Sequence, residues 1–230
     1  MNEQGQDLLK VLNPKGNCQM TTTKNYGTAK DFCSNSIYLN SDSTFLKEGG
    51  CEGHSSITLG EWKIVGDSLE LRSLPMNKIN LVCNVELSQK ISKLFKSTFT
   101  FTDKTGKPIR HFIILPLKNN EEYTFTSNPS VVFNSEEKYV EVYETDNKGN
   151  ITVDISKCDT LEFSQLKMLT GNKYRFASKN LPDTIRITLN INAYGLYYAN
   201  TDYKFLDNPI RFKFSEDKLT NGVWTYTSSK

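Results

Sequence analysis

The chain has 230 residues and a formal net charge of +2. That excludes the strongly basic balance of a nucleic-acid-binding protein and leaves room for one large β domain or two of about 100 residues each. With 13 Phe and 11 Tyr, and with Thr, Ser and Asn recurring throughout, the composition favours strands and turns over helices. No apolar run approaches the roughly 20 residues needed for a membrane-spanning helix.

The N-terminal "MNEQGQDLLKVL" has no apolar h-region. The chain is therefore either cytosolic or the mature part of an exported precursor, whose signal peptide or lipid anchor lies outside this sequence. Cysteine usage favours export. Cys18, Cys33, Cys51 and Cys83 fall in the first third, only Cys158 lies beyond, and no pair has C-x-x-C spacing. Scattered cysteines in a Gly-rich β segment read as disulfides of an oxidising compartment. Register names one bridge. "SIYLN" and "TFLKE" flank "SDS", which predicts a hairpin loop centred on Asp42, and opposed residues then have numbers summing to 84. Ile37 faces Lys47, Leu39 faces Phe45 and Cys33 faces Cys51, unless a bulge at Gly49–Gly50 breaks the ladder. Cys18–Cys83 is the pair left over.

Strands are expected at 36–40, 43–48, 56–65, 68–73 and 79–86, joined by links too short for parallel crossovers, hence an antiparallel meander. In "GEWKIVGDSLELRS", alternation puts Trp62 and Ile64 on one face, and that face is read as the inner one. "ELSQKISKLF" spaces Leu87, Ile91, Leu94 and Phe95 for a short helix or an extended linker. A second β pattern follows, with Thr98, Thr100 and Thr102 alternating with Phe99 and Phe101. Further strands are expected at 138–145, 150–155, 160–164, 184–191, 194–199, 203–206, 209–214 and 223–227, with one helical turn somewhere in 165–182.

Two resemblances accompany this pattern. "LNSDSTFLKEGG" with "LGEWKIVGDSLEL" resembles the lipocalin-like β meanders of exported bacterial proteins, over about residues 35 to 73. "FTFTDKTGKPI" and "YETDNKGNITVDISKCDTLEFS" resemble the carboxypeptidase-regulatory-like, transthyretin-like β-sandwich, through Asp103, Gly106, Pro108, Ile109, Thr145, Asp146, Gly149, Ile151, Asp159, Thr160 and Leu161. About 35 residues separate the two motifs, an insertion relative to the family pattern. Together the resemblances imply an all-β protein: a lipocalin-like meander or partial barrel over 1–90, then a transthyretin-like, Ig-like sandwich over 91–230.

Chemistry is sparse. The Asp103 and Asp146 loops lack the D-x-[DN]-x-[DN]-G series of a calcium site and read as Asx turns with Gly at the positive-φ position. The two histidines, His54 and His111, sit in a loop and on a strand. No G-x-S-x-G, H-E-x-x-H, P-loop or G-x-G-x-x-G occurs. Cys158 reads as a structural thiol, and Glu121–Glu122 and Glu136–Glu137 as solvated charges. No catalytic residue, metal ligand or cofactor is assigned. What remains is recognition: Tyr194, Tyr197, Tyr198 and Tyr203, interleaved with Asn192, Asn200 and Asp202, suit a surface for a protein or a glycan. The expectation is a non-catalytic accessory or binding protein of the bacterial cell envelope, periplasmic, cell-surface or secreted. The alternatives are a carrier of a small apolar ligand, in a cavity lined by Phe45, Trp62 and Leu71, and a carboxylate-pair hydrolase.

Overall fold

The structure, a computed structural model, describes residues 6–12, 14, 23–30, 32–51, 54–75, 78, 81–90, 95–118, 122–125, 132–134, 136, 138–164, 166, 173–190, 201–215 and 217–228. The chain divides into two compact units: residues 20–79 with 200–230, and residues 1–19 with 80–199. This differs from the single break expected near residue 90. The meander strands and the C-terminal strands belong to one unit, because the last strands complete a sheet that the meander cannot close alone.

The helix α1 (Gln6–Leu12) opens the chain. Five strands follow: β1 (Thr23–Lys30), β2 (Cys33–Asn40), β3 (Thr44–Cys51), β4 (His54–Val65) and β5 (Ser68–Ser73). The expected β2–β3 register holds without a bulge, from Leu39↔Phe45 through Asn35↔Gly49 to Cys33↔Cys51. Its turn is set by Asp42, whose Oδ1 accepts from Thr44 N at 3.0 Å and Thr44 Oγ1 at 2.6 Å, while Ser43 takes φ 64°. Strand β1 was not expected from the sequence. "TKNYGTAK" offers a single large apolar residue, Tyr26, and an interior glycine.

The second unit holds β6 (Val82–Leu87), β7 (Lys96–Asp103), β8 (Ile113–Leu117), β9 (Tyr123–Phe125), β10 (Val132–Asn134), β11 (Tyr139–Val140), β12 (Tyr143–Glu144), β13 (Asn150–Asp154), β14 (Thr160–Phe163), β15 (Arg175–Ala177) and β16 (Thr184–Leu189). They form sheets of order β13-β7-β16-β6, β12-β8-β14-β15 and β11-β10-β9. The alternation read in "STFTFT" holds. Phe99 and Phe101 are fully buried and meet Phe163 edge-on at 5.9 and 5.4 Å. Phe101 stacks on Phe112 at 4.1 Å, and Phe163 meets Phe176 at 4.9 Å. The threonines of the other face bond across strands, Thr98 to Thr152 at 3.1 Å and Thr100 to Asn150 at 2.8 Å.

Both Asx turns form. Asp103 Oδ1 accepts from Thr105 N and Lys107 N, and Asp146 Oδ1 from Lys148 N and Asn150 N. Those two amides hold the Asp146 carboxyl below its usual range, Asn150 foremost. Gly149 has φ 74°, and a Cβ there would lie 2.4 Å from Phe101 O, so both conformation and space require glycine. The insertion supplies a third layer. Val132 of β10 and Val140 of β11 pack on Ile113, Leu115 and Leu117, the alternate face of β8.

Strands β17 (Thr201–Tyr203), β18 (Ile210–Ser215), β19 (Lys218–Thr220) and β20 (Thr225–Ser228) belong to the first unit. The sheet order β4-β3-β2-β1-β20-β19-β18-β5, with β4 also paired to β5, closes into an eight-stranded antiparallel barrel, and closure removes the sheet's edges. Strand β17 lies outside the ring, parallel to the start of β4. Tyr26, Ile37, Leu39, Phe45, Leu69, Leu71, Phe212, Leu219 and Tyr226 form the barrel core.

Candidate functional site

The residues singled out in the sequence separate cleanly in the structure. Cys33 and Cys51 form a disulfide, joining β2 and β3 at the end of their ladder. Cys83 is also disulfide-bonded, in β6 of the second unit and not in the barrel, while Cys18 lies outside the described residues. Cys158 is free and buried, and burial raises its thiol pKa. Tyr194, Tyr197 and Tyr198 lie outside the described residues, as do Glu121, Glu137 and most of the 86–95 segment beyond Lys90. Tyr203 does not belong to an open surface. It is half-buried, its hydroxyl lies 2.5 Å from Leu74 O and 3.2 Å from Leu59 O, and burial raises its pKa.

Trp62 is architectural. It packs on the barrel core and its indole N–H donates to Asn40 O at 2.9 Å. Ile64, expected on the same inner face, is 54% exposed, although its ladder partner Leu69 is fully buried in the core. Phe45 and Leu71 are part of the packed cluster that Trp62 covers. His111 takes φ 57° and pairs through Nδ1 with Glu144 on the surface. His54 lies opposite Cys51 in the β3–β4 ladder. Among the described residues, no group of three His, Cys, Asp or Glu side chains could hold a metal ion.

The buried carboxylates are engaged. Glu162, 0% exposed, sits opposite Arg175 in the β14–β15 ladder. Its Oε2 accepts from Arg175 Nε at 2.8 Å and its Oε1 from the Tyr123 hydroxyl, whose pKa burial raises, with Glu162 adding to it. Glu70 in β5 accepts from Arg211 Nε and Nη2 at 3.0 and 2.9 Å, with Lys63 3.4 Å away. Arg211 holds that carboxyl below its usual range. Glu48 differs: burial pushes it up to about 7, opposed only by the Tyr38 hydroxyl, and its Oε1 is buried without a partner.

The feature with the shape of a binding site was not legible in the sequence. Strand β1 pairs with β2 along all eight residues, but with β20 only at Tyr26↔Ser228 and Gly27↔Thr227. Among the described residues the ladder ends at Gly27↔Thr227, and an open groove of about 490 Å³ lies beside it, lined by Gly27, Thr28, Ala29, Asn35, Ser36, Thr225 and Thr227. Its size falls in the range of ligand pockets. Cross-strand pairs set its depth. Thr28↔Asn35 follows Tyr26↔Ile37 two residues on, so Thr28 and Asn35 share the core-facing side while Gly27 and Ser36 face out. Asn35 reaches inward: its Oδ1 would lie 2.8 Å from a Cβ on Gly49 and is 3.5 Å from Lys47 Nζ. Lys47 faces Ile37 from the same side, and burial, then Lys204, lowers its pKa. Every described side chain lining the groove is neutral. Hydroxyls and one carboxamide can donate and accept hydrogen bonds there, but none is poised for proton transfer at neutral pH.

Compared with known proteins, the chain matches no family model, no curated protein and no solved structure. The site therefore has to be read from its own chemistry.

Proposed function

We propose that this chain is a non-catalytic binding protein of the bacterial cell envelope that recognises a protein or a glycan. In this reading the barrel is the lipocalin-like module and the three-layered unit the transthyretin-like one. The observation that carries the reading is the groove beside Gly27, sized for a ligand and lined by neutral hydrogen-bonding groups. The Cys33–Cys51 disulfide supports an oxidising, extracytoplasmic location. No helix among the described residues is long and apolar enough to cross a membrane.

The packing of Phe45, Leu71 and Trp62 into one cluster counts against a carrier whose cavity they would line. The carboxylate-pair hydrolase needs two acids sharing a cleft, one with a raised pKa. Glu48 has the raised pKa, yet the group beside it is a tyrosine hydroxyl. An amide NMR titration tests the proposal, with neutral oligosaccharides and a library of octapeptides as probes. Shifts centred on Thr28, Asn35, Ser36, Thr225 and Thr227 are expected. Turnover of a probe, or shifts confined to other surfaces, would refute it.

A further inference from the structure

We infer that the cluster of Lys63, Arg72 and Arg211 around Glu70, on the outer wall of the barrel, is a binding site for a phosphate group. It shares no residue with the groove beside Gly27. Strand alternation builds the cluster. Leu69 and Leu71 of β5, Phe212 of β18 and Trp62 of β4 pack in or against the barrel core, so the residues that alternate with them face out. Lys63 and Arg211 are the ladder partners of Glu70 from either side, and Arg72 follows Glu70 by two residues on the same face of β5. Three strands thus bring three cations to one carboxylate.

Stability does not call for all three. Glu70 is only 4% exposed, and its Oε2 accepts from Arg211 Nε at 3.0 Å and Nη2 at 2.9 Å. Its Oε1 lies 3.4 Å from Lys63 Nζ and 3.9 Å from Arg72 Nη2. Arg211 alone already gives this carboxylate two charge-assisted hydrogen bonds, and like charges gathered on adjacent strands oppose folding. The outward positions of β4, β5 and β18 around Glu70 carry Lys63, Arg72, Arg211 and Lys213 against two carboxylates, Glu61 and Glu70. Asp67 lies beyond them in the hairpin turn, where its Oδ1 accepts from the Ser68 hydroxyl. This face of the wall therefore holds more positive charge than its own carboxylates neutralise.

What is left over fits an oxyanion. The side chains of Lys63, Arg72 and Arg211 are 63, 66 and 69% exposed, so a ligand reaches them from solvent. Arg211 spends Nε and Nη2 on Glu70, which leaves the Nη1 end of its fork for a ligand. The Arg72 guanidinium is too far from Glu70 for a hydrogen bond, and its whole fork is available. Lys63 Nζ and Arg72 Nη2 lie near the same oxygen, so a second oxyanion on their solvent side can bridge them. A phosphate monoester presents three oxygens and a charge of about −1.5 to −2 at pH 7, which suits three separate donors. A carboxylate has two oxygens and one charge, the part that Glu70 already plays. Glu70 also holds three long side chains together in advance, so less rotamer freedom is lost when the ligand arrives.

The test uses the full, disulfide-bonded chain and amide NMR, titrating inorganic phosphate against chloride at constant ionic strength. Saturable shifts centred on Lys63, Glu70, Arg72 and Arg211 are expected. Arg72→Gln should weaken binding about tenfold, the loss of one charge-assisted hydrogen bond, and Lys63→Gln should weaken it as well. Both variants keep the Arg211–Glu70 pair, so the barrel stays folded. Lys179→Gln, which removes an exposed charge from the second unit, should change nothing. Phosphatidylcholine vesicles with and without phosphatidic acid then identify the carrier of the phosphate. Co-sedimentation that needs phosphatidic acid and is lost in Arg72→Gln assigns it to a lipid headgroup, and phosphate binding without co-sedimentation assigns it to a soluble ester. Shifts that do not saturate, that spread over the lysines of both units, or that Arg72→Gln leaves unchanged overturn the site.

Discussion

Glu162 in the second unit and Glu48 in the barrel are both carboxylates withdrawn from water on a β-sheet, and the fold treats them in opposite ways. Glu162 faces Arg175 across a ladder and accepts from Tyr123 as well, so both oxygens have donors. Glu48 has one tyrosine hydroxyl and a buried oxygen without a partner. The second unit is organised around interlocked phenylalanines. The barrel holds Lys47, Asn35 and Glu48 half-buried, and its described β1–β20 ladder has two pairs. Groups that stability does not explain are where function is to be sought.

The largest effect that would sharpen this comparison is Phe163→Ala. Phe163 touches Phe99, Phe101, Phe112 and Phe176, and its removal should destabilise the second unit by about 3–5 kcal/mol, read by amide hydrogen exchange in β7 and β14. A loss below about 1 kcal/mol would mean that the cluster does not hold the unit together. Next is Glu162→Gln, which strips the charge from the partner of Arg175, itself only 12% exposed. A loss of about 3 kcal/mol is expected, and the Tyr123 hydroxyl should titrate at lower pH in the variant, because its anion would no longer face a carboxylate.

For the barrel, pH is the lever. Glu48 titrates at about 7 when folded against a reference value of 4.5, so the native state holds this proton more tightly than the unfolded chain. Its contribution is intact below pH 4.5, declines as pH rises from 4.5 to 7, and is lost above that, to a total of about 3 kcal/mol at most. Both tryptophans of the chain, Trp62 and Trp224, pack on the barrel core, so urea melts followed by their fluorescence report this unit. The urea midpoint should fall across that pH window, and Glu48→Gln should flatten the fall. An equally steep profile in the variant would assign the dependence to another group. A smaller effect, about 2–3 kcal/mol, is expected for the Cys33→Ser/Cys51→Ser double variant, which opens a bridge of sequence separation 18. The tryptophan-detected midpoint should drop, with hydrogen exchange in β7 and β14 unchanged.

Much of the architecture could be read from the chain alone, wherever the determining interactions are local. The Asp42, Asp103 and Asp146 turns follow from one carboxylate accepting nearby backbone amides, and the β2–β3 register follows from the loop that joins the strands, which is why the Cys33–Cys51 pair could be named by counting. The Phe99/Phe101 alternation named a buried face for the same reason. What the tertiary structure alone decided depends on residues far apart in sequence. That β20 closes a barrel begun by β1 rests on Gly27 meeting Thr227, a pairing to which no hairpin loop gives a register. The third layer over β8 and the Glu162–Tyr123–Arg175 contact arise only once the insertion is laid on a sheet. The groove beside Gly27 is the extreme case, because it lies where a ladder between strands from opposite ends of the chain stops after two pairs.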